Sequence, residues 1–121
     1  MNAPDTRTEL MAAFDLYQQR AWKTAFYPGK RSGFNLYTVV GLCGEAGEVA
    51  EKAKKIFRDR NGDPTNRDVD VIGLELGDVL WYIAAIASEL GLSLGEVAEV
   101  NLRKLESRRV RGKLSGEGDE R

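Results

Sequence analysis

Histidine is absent from the chain, and cysteine occurs once, as Cys43. The first absence excludes Ser-His and Cys-His nucleophilic chemistry and histidine-ligated zinc. The second excludes an internal disulfide and any cysteine-bound metal cluster. Cys43 falls on the apolar side of a helical pattern and is expected to be a buried core thiol. No strand-like alternation, GxGxxG turn or P-loop is present. No uncharged apolar run reaches about 18 residues, so no transmembrane helix is expected. Met1-Asn2-Ala3-Pro4-Asp5 lacks the basic start and apolar stretch of a secretory signal, and the expected location is the cytoplasm. The net charge of −1 offers no bulk attraction to nucleic acid or anionic membrane. Chemistry is left to carboxylates, lysines, arginines, hydroxyls and a metal that accepts oxygen ligands, which points to Mg²⁺ or Mn²⁺.

The 121 residues suit one domain, and a hydrophobic share of 42% suits a small core. Thr6-Arg7-Thr8-Glu9 fits a capping box opening a first helix, with Leu10, Phe14, Tyr17 and Ala21 on its apolar face. The stretch Tyr27 to Gly33 is loop by composition. A second helix is expected from about Asn35 to Phe57, and Arg58 to Pro64 is a turn. A third is expected from about Asp68 to Leu90; from Val79 to Ala87 it is apolar on every side, the pattern of a central buried helix. Ser93-Leu94-Gly95-Glu96 reads as a second capping box opening a fourth helix, which turns basic from Arg103 to Lys113. A polar, glycine-rich flexible tail follows from Gly112. The fold class is all-α, a bundle of about four helices, with a core that association into a dimer or tetramer would complete.

Two acid pairs stand out: Glu45 and Glu48 in the second helix, Glu75 and Asp78 in the third. Three-residue spacing puts each pair on one helix face, one turn apart. The first pair alone reads sooner as a solvated face, since Lys52 follows Glu48 by four residues. The second interrupts an apolar helix, where acids are costly unless paired or bound to a cation. Four carboxylates facing each other across two helices make an oxygen-only site for a hard divalent cation. Glycines at 41, 44, 47, 73 and 77 each cost roughly 0.5–1 kcal/mol against alanine in a helix, which close packing or backbone approach to a ligand would explain. Lys52 and Lys55 continue the acid stripe toward where substrate phosphates would extend; the plain alternative is solvated lysines. The basic run of the fourth helix could line the same site, pair with the helix dipole, or bind nucleic acid weakly. Tyr82 and Trp22 are candidates for stacking on a base.

Gly41-Leu42-Cys43-Gly44-Glu45-Ala46-Gly47-Glu48-Val49-Ala50-Glu51-Lys52, followed by Glu75-Leu76-Gly77-Asp78-Val79-Leu80-Trp81-Tyr82, resembles the MazG-like branch of the all-α nucleoside triphosphate pyrophosphohydrolases. The resemblance extends through Asn101 to Arg108 and covers roughly residues 20–115. It implies Mg²⁺-dependent hydrolysis of a (deoxy)nucleoside triphosphate to monophosphate and pyrophosphate, serving control or cleaning of the nucleotide pool. By the same resemblance Glu45, Glu48, Glu75 and Asp78 match the metal ligands, and Lys52, Lys55, Tyr82, Asn101, Lys104 and Arg108 are candidates for substrate contact. The family usually builds its site at a subunit interface. Many members carry a further glutamate where this chain has Gly44; Glu48 or Glu51 would then act as general base, unless metal activation of water suffices. Two alternatives remain at this stage. One is phosphoribosyl-ATP pyrophosphohydrolase. The other is a non-catalytic helical interaction protein using Arg103–Lys113, which leaves Glu75 and Asp78 unexplained.

Overall fold

The computed structural model describes residues 5–112, 116 and 118. Its helices are α1 (Thr6–Trp22), α2 (Leu36–Arg60), α3 (Asn66–Glu89) and α4 (Leu94–Arg111), with no strand among the described residues. Each opens on a side chain that accepts an otherwise unpaired N–H of the first turn. Asp5 rather than Thr6 does this for α1, so the expected Thr6–Glu9 box starts one residue late. Asn35 caps α2 and Ser93 caps α4. Thr65 and Asp68 form a reciprocal capping box on α3 that the sequence reading passed over. The tail expected from Gly112 lies largely outside the described residues, as does Lys113.

α3 is the central element, with α2 along one side and α1 and α4 on the other. Enclosure is confined to its C-terminal half. Ala84, Ala87, Ala21 and Leu94 form one cluster with Phe14, Tyr17 and Trp81 against it. Ala85, Ala25 and Tyr27 form a second with Trp22 and Trp81. The expectation of a helix buried on every side from Val79 to Ala87 therefore fails: only Ala84, Ala85 and Ala87 are buried in α3. Leu74 is 73% exposed, and Leu76 and Ile83 are also open. The reason is that, among the described residues, α2 touches neither α1 nor α4. Among the described residues, nothing covers the outer face of the α2–α3 pair. Cys43 is exposed, not a core thiol. By length and composition alone α3 is apolar enough to cross a bilayer, contrary to the run-length argument, but it carries Glu75 and Asp78 in its middle.

α1 holds α4 through side chains that satisfy its first turn. Asp15 Oδ1 accepts the Gly95 amide at 2.9 Å and the Ser93 hydroxyl at 2.7 Å, and Gln18 Oε1 accepts the Leu94 amide at 2.8 Å. Gly95 is required there, because a Cβ would run into the Met11 backbone. Glu89 fixes the loop between α1 and α2. Its carboxylate accepts the Tyr27 hydroxyl at 2.6 Å and the amides of Arg31 at 2.7 Å and Gly33 at 3.0 Å. This holds Arg31 in the left-handed region at φ 71°. Burial pushes the Glu89 carboxyl up, and the Tyr27 hydroxyl and two amides more than offset it, leaving it below the ordinary value.

Candidate active site

The long α2–α3 hairpin brings the two acid pairs to the same level. One carboxylate oxygen from each of Glu45, Glu75 and Asp78 lies within 4.8 Å of the others. Oxygens about 2.1–2.5 Å from a single ion are at most about 5 Å apart, so the spacing and the all-oxygen donor set fit a hard divalent cation. The electrostatics agree. Burial, then the charges of Asp78 and Glu75, push the Glu45 carboxyl above its ordinary value. Crowding of this kind is relieved by a cation or a proton.

Glu48 does not join this group. It lies one turn further along α2 with an exposed side chain, 3.8 Å from Lys52. Lys52 reaches across to Glu75 at 3.1 Å, and that hydrogen bond raises the ammonium above its ordinary value. Glu51 is turned away, paired with Lys54 at 2.9 Å and Lys55 at 3.6 Å. Lys54 foremost holds its carboxyl low, which makes it a weak base. Beyond Lys52 a groove between the end of α2 and the start of α3 is lined by Lys52, Lys55, Arg60 and Arg67, with Asp59 and Asp68. Arg67 was missed from sequence because it lies outside the acid-bearing turns; its place one helix away from Lys55 is set by the hairpin.

On the opposite side of the acids is an aromatic cleft lined by Thr24, Glu45, Asp78, Trp81 and Tyr82. It continues through Thr24 and Trp81 into a cleft over α1 that includes Tyr17 and Arg20. Trp81 is fixed by its indole N–H, which donates to Thr24 Oγ1 at 2.8 Å. Tyr82 stands edge-on to it, with centroids 5.0 Å apart. Burial first, then the adjacent Tyr37 hydroxyl and the charges of Glu45 and Asp78, push the Tyr82 hydroxyl up. Of the five mid-helix glycines, only Gly41 makes room for a neighbour: a Cβ there would overlap the Tyr82 ring, whereas Gly44, Gly47, Gly73 and Gly77 face open space. Trp22 is not part of this cleft. Its ring lies under the Lys30 ammonium at 4.6 Å and packs on the Ala25–Tyr27–Ala85 cluster.

The fourth-helix candidates are not brought to the acids. Asn101 and Lys104 line a separate groove with Leu92, Val97 and Val100. Arg108 is 2% exposed within its own chain. Arg103 pairs with Glu99 and Arg109 with Glu106, so much of the basic run serves local ion pairs.

Comparison with known proteins adds a family to this geometry. Residues 35–111 match the family model described as the MazG nucleotide pyrophosphohydrolase domain. The chain is 46% identical over 111 residues to the Gene 37 protein of Mycobacterium phage L5, covering 88% of this chain and 97% of that protein. It is 33% identical over 99 residues to the uncharacterized protein YvdC of Bacillus subtilis (strain 168), covering 78% of this chain and 86% of that protein. No solved structure matches the chain.

Proposed function

The chain belongs to the MazG nucleotide pyrophosphohydrolase family, and from that premise we propose that it hydrolyses a (deoxy)nucleoside triphosphate, with Mg²⁺, to the monophosphate and pyrophosphate. One observation carries the reading: along the α2–α3 axis the site runs aromatic, acidic, basic. Trp81, Tyr82 and Thr24 lie on one side of Glu45, Glu75 and Asp78; Lys52, Lys55 and Arg67 lie on the other. A nucleoside triphosphate has the same order, with a flat base, an α-phosphate and a polyanionic tail.

In this reading Glu45, Glu75 and Asp78 hold Mg²⁺, which when bound supplies charge neutralisation on the phosphate oxygens. The chain's own groups do the rest. Trp81 and Tyr82 bound the nucleoside, and the Tyr82 ring, seated against Gly41, keeps solvent from that side of the acids. Glu48, just outside the three-acid group, orients the attacking water and takes its proton. The water oxygen bonds to the α-phosphorus as the bond to the bridging oxygen breaks. The pyrophosphate so released carries the developing charge toward Lys52, Lys55 and Arg67. The exposed outer face of α2–α3 supports a homo-oligomer in which a second copy covers Val40 and Leu74. Asn101 and Lys104 would reach substrate only from such a neighbour.

Product analysis tests the reading. Purified protein is incubated with ribo- and deoxyribonucleoside triphosphates and phosphoribosyl-ATP, with Mg²⁺ or with a chelator. The expected products are monophosphate and pyrophosphate, lost on chelation. Diphosphate plus orthophosphate would place attack at the γ-phosphorus and overturn the mechanism.

A further inference from the structure

Lys52 borders two environments at once. Its ammonium lies 3.1 Å from Glu75 and 3.8 Å from Glu48, yet its side chain also lines the basic groove with Lys55, Arg60 and Arg67. The other cations there with assigned partners use acids outside the three-acid group: Lys55 pairs with Glu51, and Arg60 with Asp68. Lys52 alone of these pairs with an acid of that group. A divalent ion bound through Glu75 would draw on the same carboxylate and would repel an ammonium held next to it, since like charges a few ångströms apart in a half-buried site are strongly unfavourable.

Resting on the pyrophosphohydrolase reading, we propose that Lys52 and the divalent metal compete for Glu75. Metal entry turns the Lys52 ammonium out of the acid group and into the basic groove, where it receives the terminal phosphates of the substrate. Lys52 thus has two stations. At one it neutralises the acids; at the other it binds the pyrophosphate end. The exchange couples the two halves of the site: metal delivers the lysine to the phosphates, and phosphates hold the lysine away from the metal's ligand.

The test needs no turnover. Mn²⁺ is titrated into the nucleotide-free protein and followed by calorimetry or by the signal of free Mn²⁺, for the wild type and for Lys52→Met, Lys52→Arg and Lys55→Met. Lys52→Met is expected to tighten Mn²⁺ binding roughly three- to tenfold, the scale of one partly exposed ion pair given up and one repulsion removed. Lys52→Arg, which keeps the charge, should stay near the wild type, as should Lys55→Met. With Mn²⁺ present, inorganic pyrophosphate should bind more weakly to Lys52→Met. A second readout uses the wild type alone: amine labelling read by mass spectrometry should find Lys52 more reactive with Mg²⁺ and protected again when pyrophosphate is added. Unchanged or weaker Mn²⁺ binding by Lys52→Met, or Lys52 labelling indifferent to metal, overturns the proposal. If Lys52→Met binds Mn²⁺ more tightly but the wild type leaves every triphosphate intact, the competition stands and the catalytic reading falls.

Discussion

Glu45, Glu75 and Asp78 are placed differently from Glu48, although the sequence treats the four alike. The first three converge, so Asp78→Asn or Glu75→Gln should lower kcat/KM at least about 100-fold, given that even residues that merely orient a metal ligand cost about 10- to 100-fold. Both variants should stay folded by circular dichroism; full activity in either would remove the metal assignment. The raised Glu45 carboxyl adds a pH dependence. Its value in the fold lies above the ordinary 4.5, so in chelator the folded state holds the proton more tightly than the unfolded chain does. The stability contributed is complete below 4.5 and is lost as pH rises through the raised value. Thermal melts in chelator should therefore show stability falling through that window. Mn²⁺ affinity, which requires the deprotonated form, should rise through the same window.

At the scale of elements, two contacts set the aromatic wall. Gly41 lets the Tyr82 ring lie against α2. Gly41→Ala forces one to move and should destabilise by about 1–3 kcal/mol, read as a lower Tm, with a fall in kcat/KM as the wall shifts. Glu89 anchors the loop that carries Tyr27, which stacks on Tyr37 at 5.4 Å and meets Trp81 edge-on at 6.1 Å. Glu89→Gln replaces one accepting oxygen with a donor facing donors and should cost about 1–3 kcal/mol in denaturant unfolding. An unchanged midpoint would show that the loop is held by other means. Neither contact could be read from the sequence, because both join residues more than 40 positions apart.

At the scale of the whole molecule, the chain is half enclosed. α1 and α4 cover one end of α3, while the outer face of α2 and the start of α3 leave Leu36, Val40, Phe57, Val69 and Leu74 open. Sedimentation should give a mass that is a multiple of 13.4 kDa. Val40→Lys with Leu74→Lys should reduce it to one chain, since two buried charges without partners outweigh the apolar area they replace. A wild-type monomer at micromolar concentration would remove the oligomer from the reading.

Helical periodicity and capping chemistry are local, and so the all-α class, the order of the helices and their ends to within a few residues follow from the residues in order. The spacing of Glu45 with Glu48 and of Glu75 with Asp78 likewise determined which helix faces carry acid, because that follows from turn geometry alone. The rest is set by how separate elements meet. The packing of the helices leaves Glu48 outside the acid group, ties Glu51 to Lys54 and Lys55, and brings Arg67 into the basic groove. It alone decided that Trp81 rather than Trp22 faces the acids and that Cys43 is exposed. Each of these depends on the relative rotation and offset of α2 and α3, or on which faces of that pair the remaining helices leave uncovered. Both are properties of packing between distant segments, which a pattern of period 3.6 does not encode.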